Sequence, residues 1–407
     1  MLKILHTSDL HIGKRLYQAE LYEEQNLFFQ WLVDCIRQNQ VNVLLVSGDV
    51  FDVANPSSES RRIYFELLRE LMILKCKVVI AGGNHDSPAV LEAPRELLKH
   101  LDIYVTGSLP DDYSSMLVPV KNKAGETEVV VACVPFLRDA DLRRYNQDEN
   151  YEERTEAIRK GIVKVFQLTA EECKTHFPGV PALAMGHLFV QGGFVSESER
   201  EIQVGNLAGL EVKNLPDYFS YYALGHLHKP QEPGEKFIYS GSPVQLSFSE
   251  SGNANRVMLI TTDQQSLSFE SIPVPLNRKL VRIEGTVEEI RQILRTYSSE
   301  GRRLPDLIEL IALEEKHDPA KLMDLETVIE DFKHENATIL KYRIRFANAA
   351  LGSASLYDES QRISEMKAED VFVKRLDREE LPEPTRDMLL DAFREILDEV
   401  EQTREEE

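Results

Sequence analysis

Cysteine is scarce in this chain: four residues in 407, Cys35, Cys76, Cys133 and Cys173, far apart and without a CxxC pair. That spacing excludes a disulfide framework and a zinc knuckle, and leaves buried free thiols in a reducing compartment as the expectation. No run approaches the roughly 18 apolar residues of a membrane span. The N-terminus, MLKILHTSDLH, lacks the charged-then-apolar layout of a secretory leader, so a cytoplasmic location with no membrane partner is expected. There is no glycine-rich phosphate loop and no internal repeat. Positive charge is also short, with 47 Lys and Arg against 69 Asp and Glu and a net charge of −22. Such a balance disfavours indiscriminate binding to nucleic acid or anionic membrane. It does not exclude a polyanionic substrate, because carboxylates can be gathered to hold cations. The acidity is uneven: residues 351–407 hold 18 acidic against 8 basic residues, and 276–350 hold 14 against 13.

What is present is a set of strands that end alike. At 42% hydrophobic the chain can bury a core, and its length suggests two or three domains. In Lys77–Ser87 a β-branched run, Val78-Val79-Ile80, stops at Gly82-Gly83 and delivers Asn84-His85-Asp86. Residues 2–8 form a strand that delivers Asp9 and His11, two apart and so on one side of extended backbone. Residues 41–46 form another, ending in Ser47-Gly48-Asp49-Val50-Phe51-Asp52. Residues 181–185 lead into Gly186-His187, and 221–224 into Gly225-His226-Leu227-His228. Apolar residues at helical spacing over 20–38 and 58–74 separate the first strands, and strands close the pattern by about residue 275. A β-α-β-α-β order with polar strand ends predicts an α/β layered fold.

The strand ends together offer Asp9, His11, Asp49, Asn84, His187, His226 and His228; with His85 they hold five of the ten histidines. A lone histidine at a strand end is more often structural, but seven such groups are not explained that way. Imidazole with carboxylate suits Mn²⁺, Fe²⁺ or Zn²⁺ better than Ca²⁺ or an all-oxygen Mg²⁺ site. Seven ligands exceed the needs of one ion and suit two, roughly 3.5–4 Å apart, clamping a phosphoryl displacement.

DLH, GDVFD, GNHD, GH and GHLH in this order resemble the metallophosphoesterases of the calcineurin-like superfamily. SESER (Ser196–Arg200), YYALGHLHKPQ (Tyr221–Gln231) and YSGSPVQLSFSE (Tyr239–Glu250) resemble the nuclease subunits of SbcCD-type complexes. The resemblance implies a layered β-sandwich flanked by helices over 1–275, a small α+β cap facing DNA over 276–350, and a helical tail, 351–407, docking a partner. It implies that Asp49 bridges two ions, most commonly Mn²⁺, with Mg²⁺, Fe²⁺ or Zn²⁺ as other occupants. Asp9, His11 and His228 would complete one site, and Asn84, His187 and His226 the other. His85 would face the scissile phosphate and assist the leaving 3′ oxygen, with Asp52 orienting its imidazole. The implied activity is 3′→5′ exonuclease action on double-stranded DNA and endonuclease action on hairpins, in repair and recombination. The implied partner is an SbcC-type ABC/SMC-like ATPase, with the nuclease as a homodimer inside a heterotetramer associated with the nucleoid.

Two further features remain open. Lys341, Arg343 and Arg345 alternate with Tyr342, Ile344 and Phe346, and Arg302-Arg303 form a second cluster. They read as phosphate contacts of the small β-α-β-α-β domain or as an ordinary solvated sheet face. In the tail, Phe372 is followed by a helix carrying Leu389, Phe393, Ile396, Leu397 and Val400 on one side, the pattern of a docking helix. The competing functions are a phosphoesterase for a small phosphodiester or phosphoprotein, and a scaffold with a vestigial metal site.

Overall fold

The computed structural model describes residues 2–142, 151–194, 209–263, 266–315, 319–346 and 393. Its centre is a pair of six-stranded sheets. In the first, β1 (Leu2–Thr7), β2 (Val43–Ser47), β3 (Lys77–Ala81) and β4 (Ile103–Thr106) run parallel in that spatial order. In the second, β5 (Leu117–Lys121) lies antiparallel on β6 (Thr127–Cys133), which is followed by parallel β7 (Ala182–His187) and β8 (Tyr221–Gly225). Beyond β8, the edge is made by β9 (Gln231–Gly234) and β10 (Phe237–Tyr239), with β10 next to β8. The chain then returns to the first sheet, where β11 (Arg256–Asp263) pairs antiparallel with both β1 and β12 (Ser266–Pro273).

Alternation along the strands decides the layering. Ile4, Val43, Leu45 and Val79 face Val129, Val131, Leu183, Met185, Tyr221 and Ile238 in the core between the sheets. Their neighbours Leu5, Leu44, Val46, Val78 and Ile80 point the other way, onto helices α1 (Tyr22–Asn39) and α2 (Ser58–Ile73). On the second sheet Val130, Ala132, Ala184 and Tyr222 pack with Ile158, Ile162, Val165 and Phe166 of α3 (Tyr151–His176). Both faces of each sheet are therefore covered, which is why the parallel strands read as near-continuous apolar runs. The expected layered sandwich flanked by helices is the fold found. It adds short elements that periodicity does not reveal: β4, β5, the helices Pro88–Glu92 and Arg95–His100, and a hairpin of Arg15–Leu16 with Ala19–Glu20.

Three more strands, β13 (Leu280–Gly285), β14 (Asp306–Glu314) and β15 (Ala337–Phe346), form a sheet in that order. Helices α4 (Val287–Arg295) and α5 (Pro319–Asp331) lie between them in sequence. The chain divides into two compact units, Met1–Arg282 with Ser298–Glu309 and His334–Lys341, and Ile283–Tyr297 with Leu310–Lys333 and Tyr342–Glu407. In the second unit Thr286 and Glu289 form a reciprocal capping box that starts α4. That helix buries Val287, Ile290 and Leu294.

Candidate metal centre

The C-terminal ends of β1, β2, β3, β7 and β8 deliver every candidate ligand. Asp9, His11, Asp49, His187, His226 and His228 are buried, and Asn84 is partly buried. The backbone bends sharply to present them. Asp9, His11, Asp49 and His226 have φ of 53°, 42°, 47° and 101°, a region that costs non-glycine residues about 1–3 kcal/mol each and clusters at functional sites. The turns are over-determined by each other. Asp9 N–H donates to the Gly48 carbonyl (3.1 Å), His11 N–H to Asp49 (3.0 Å) and Ile12 N–H to Val50 (2.9 Å). The buried Asp86 carboxylate accepts N–H bonds from Gly83, Val50 and Phe51, tying the β2 turn to the β3 turn.

Close approach requires glycine at several positions here, Gly48 and Gly83 among them. Gly48 has φ of +88°, and a Cβ there would lie 2.0 Å from His187 Nδ1. A Cβ on Gly83 would lie 2.1 Å from Asp49 Oδ1.

The imidazoles are held from behind. His11 Nδ1 donates to Asp52 Oδ1 (3.2 Å), His187 Nδ1 to the Ser47 carbonyl (3.0 Å) and His228 Nδ1 to Glu250 Oε1 (3.0 Å). Each bond fixes the tautomer and leaves Nε2 as a lone-pair donor, the arrangement metal-ligating histidines use. Around Asp49 Oδ2 stand His187 Nε2 at 3.4 Å, His11 Nε2 at 3.5 Å and His85 Nε2 at 4.0 Å. Ligand atoms of Asp9, His11 and His228, and of Asp9, Asp49 and His187, lie within 4.8 Å of one another.

This donor set fits divalent cations. His11 Nε2 is buried without a hydrogen-bond partner. His187 Nε2 lies 2.9 Å from Asn84 Oδ1, two acceptors face to face unless a cation or second ring proton lies between them. In the ion-free chain a proton fills that need: burial alone would lower the His187 imidazole, but Asp49 and Asp9 outweigh it and hold it up to about 9. Burial would raise Asp49, but His187, His11 and His85 hold it well below the usual carboxylate range. Burial and the charge of His187 push His226 well below its ordinary value, as a neutral ligand requires.

One expected contact differs. The Asp52 carboxylate bonds His11 Nδ1 and Lys14 Nζ (3.1 Å), while the group that accepts from His85 Nδ1, at 2.7 Å, is the Asp52 main-chain carbonyl. The turn after Asp49 brings the carbonyl of residue 52 onto His85 Nδ1 and leaves a carboxylate oxygen of Asp52 within 4.8 Å of a His85 ring nitrogen. Burial opposes ionisation of Asp52, but His11 and Lys14 prevail and bring it down to about 2.

Lys14, Asp86 and Glu250 support the site without having stood out in the sequence. Of the expected DNA contacts, Arg302 is paired with Glu300 and lies 3.9 Å from Asp306, whereas Arg303 and Arg345 are exposed. Lys341 Nζ sits 4.0 Å from the Tyr17 ring centroid and bonds its hydroxyl. Arg343 is partly buried and Tyr342 is 42% exposed. In the tail Phe393 is helical and partly buried; SESER, Phe372, Leu389, Ile396 and Leu397 lie outside the described residues.

Comparison with known proteins matches residues 2–230 to the calcineurin-like phosphoesterases and residues 277–380 to the family described as the type 5 capsule protein repressor C-terminal domain. The SbcD component of the nuclease SbcCD from Escherichia coli K12 is 29% identical over 401 residues, 97% of this chain and 98% of that protein. Its counterpart in Rhodobacter capsulatus is 35% identical over 299 residues, 70% of this chain and 73% of that one. A solved dimetal phosphatase from Danio rerio aligns at 12% identity with a TM-score of 0.39, over 68% of this chain and 97% of that one. The ligand-bearing strand ends and these matches agree: the chain belongs to the calcineurin-like phosphoesterases, metal-dependent phosphodiester hydrolases, and within them to the SbcD family of nucleases.

Proposed function

We propose that the chain is the nuclease subunit of an SbcCD-type complex, with a two-metal centre that cleaves DNA. Asp9, His11 and His228 hold one ion, Asn84, His187 and His226 hold the other, and Asp49 serves both. The observation that carries this reading is the set of three imidazoles with hydrogen-bonded Nδ1 and inward Nε2, gathered about buried Asp9 and Asp49. Imidazole and carboxylate donors together suit Mn²⁺, Fe²⁺ or Zn²⁺, and Mn²⁺ is the occupant of this proposal. When bound, the two ions supply the positive charge that makes water a nucleophile at neutral pH and steadies the phosphate.

The chain's own residues do the rest. Asp52 and Glu250 keep His11 and His228 in the ligating tautomer. His85, whose Nδ1 bonds the Asp52 carbonyl and whose Nε2 lies 4.0 Å from Asp49, gives the proton to the leaving 3′ oxygen in this proposal. The substrate is double-stranded DNA, cut 3′→5′ from ends and endonucleolytically at hairpins, in repair and recombination. The relatives are named as the SbcD component of SbcCD, which supports an SbcC-type ATPase as partner and a nuclease homodimer within a heterotetramer. Residues 1–275 form the nuclease domain, 276–350 the cap, and 351–407 the segment that docks the ATPase.

The test is metal-stripped chain reloaded with Mn²⁺ and assayed on linear duplex and on a chromogenic phosphodiester. Two ions per chain and Mn²⁺-dependent cleavage of the duplex are expected. A chain that binds no ion, or that cleaves the small ester and never DNA, overturns the proposal.

A further inference from the structure

Phe194 is an anomaly on the surface. Its ring is 68% exposed, yet its backbone is clamped from both sides by one side chain. Its N–H donates to Gln231 Oε1 (2.8 Å), and Gln231 Nε2 donates to its carbonyl (3.1 Å). The turn that carries it is seated on the loop after β8. Val190 N–H donates to the Tyr239 hydroxyl, and Gly193 N–H closes onto the Val190 carbonyl. Gly193 approaches Leu227 so closely that a Cβ there would lie 2.4 Å from its Cδ1. Phe194 follows His187 by seven residues, and its turn packs on Leu227, which lies between His226 and His228 in the chain. Lys229, the residue after His228, holds its Nζ 4.7 Å from the Phe194 ring centroid. Among the described residues Lys229 pairs with this ring and with no carboxylate.

An exposed ring on a clamped backbone in the loop that follows a ligand, with an ammonium on it that meets no carboxylate among the described residues, matches what a single strand offers. Every nucleobase has a π-face to stack and every linkage a phosphate for a cation. We infer that Phe194 and Lys229 form a nucleobase subsite, in which the ring stacks on an unpaired base next to the scissile linkage and Lys229 contacts the adjoining phosphate. The inference rests on the DNA-cleaving reading above and deepens it: the strand that enters the centre is unpaired at this position, so a frayed or single-stranded end is engaged more readily than a blunt one.

The experiment uses the full chain with Mn²⁺ on a linear duplex whose 3′ end is blunt or carries mismatched terminal pairs, and on bis-p-nitrophenyl phosphate, which has no base to stack. Phe194→Leu keeps apolar bulk without the ring, Phe194→Tyr keeps the ring, and Lys229→Met removes the charge. Phe194→Leu should lower kcat/KM on DNA by about tenfold or more, Phe194→Tyr should restore it, and Lys229→Met should reduce the salt dependence of binding. A 2-aminopurine at the 3′ end, read with Ca²⁺ in place of Mn²⁺, should be quenched by wild type and Phe194→Tyr but not by Phe194→Leu. Phe194→Leu equal to wild type on DNA and in quenching overturns the subsite. Equal loss in Phe194→Leu and Phe194→Tyr overturns ring stacking. Loss on the small ester as well assigns Phe194 to upholding the metal loops and overturns it too. Failure of the DNA reading itself is distinct, since it shows in the unmutated chain as cleavage of the ester alone.

Discussion

Glu250→Gln is the sharpest single perturbation of the centre, because it changes no shape and one charge. The Glu250 side chain is fully buried. Oε1 accepts from His228 Nδ1 at 3.0 Å and Oε2 accepts the Leu246 N–H at 2.9 Å, so both oxygens face donors. A carboxylate satisfies both; an amide cannot, since one of its two ends is itself a donor. If the amide NH₂ turns toward Leu246, the main-chain N–H loses its acceptor. If it turns toward His228, Nδ1 must become the acceptor and the ring proton moves to Nε2, the atom proposed to ligate. Removing such an orienting partner typically costs 10–100-fold in metal affinity, or roughly 1.4–2.7 kcal/mol. Calorimetric titration of chelator-stripped protein with Mn²⁺ should therefore show one of two sites weakened by about that factor and the other close to wild type, with nuclease activity at sub-saturating Mn²⁺ falling in step. Two unchanged sites with unchanged cleavage would refute the argument that Glu250 sets the state of His228.

Five other outcomes are expected. Metal uptake should release protons and strengthen with pH up to about 9, because ions displace the proton that Asp49 and Asp9 hold on His187; calorimetry in buffers of different ionisation enthalpy reads this, and uptake without proton release contradicts it. The ion-free chain has the opposite dependence: a raised His187 contributes stability that is complete below its ordinary value near 6.5 and lost as pH rises through about 9, visible in melts with chelator. His85→Ala should abolish cleavage while metal content stays near wild type; loss of ions in proportion to activity would reassign His85 as a ligand. Combined Lys341→Ala, Arg343→Ala and Arg345→Ala should weaken duplex binding and flatten its salt slope, and an unchanged slope would return that strand to an ordinary surface. Deleting residues 351–407 should leave phosphodiesterase activity and melting temperature close to wild type and end co-purification with the ATPase; a truncated chain that unfolds would place the tail in the core.

The candidate ligands were legible because each follows a local signal. An apolar strand that stops at Gly48, Gly82 or Gly225 and is followed at once by carboxylate, amide or imidazole states its use within a dozen residues. The layered fold was legible for a similar reason, since α1, α2 and the parallel strands announce themselves by periodicity. Elements without that length or pattern were not: β4 has four residues, and β5 is an edge strand interrupted by Pro119. The supports of the site lay outside sequence reasoning altogether. Asp52 stands three residues after Asp49 and reads as a partner for His85, but the left-handed turn at Asp49 sends its carboxylate to His11 and leaves its carbonyl for His85. Asp86 looks like a turn cap and instead holds three amides from two loops. Periodicity is a property of neighbouring backbone, so the chain alone determines it. The nitrogen that His228 offers to a metal is determined by a carboxylate 22 residues away, which only the folded turn after β10 brings to 3.0 Å.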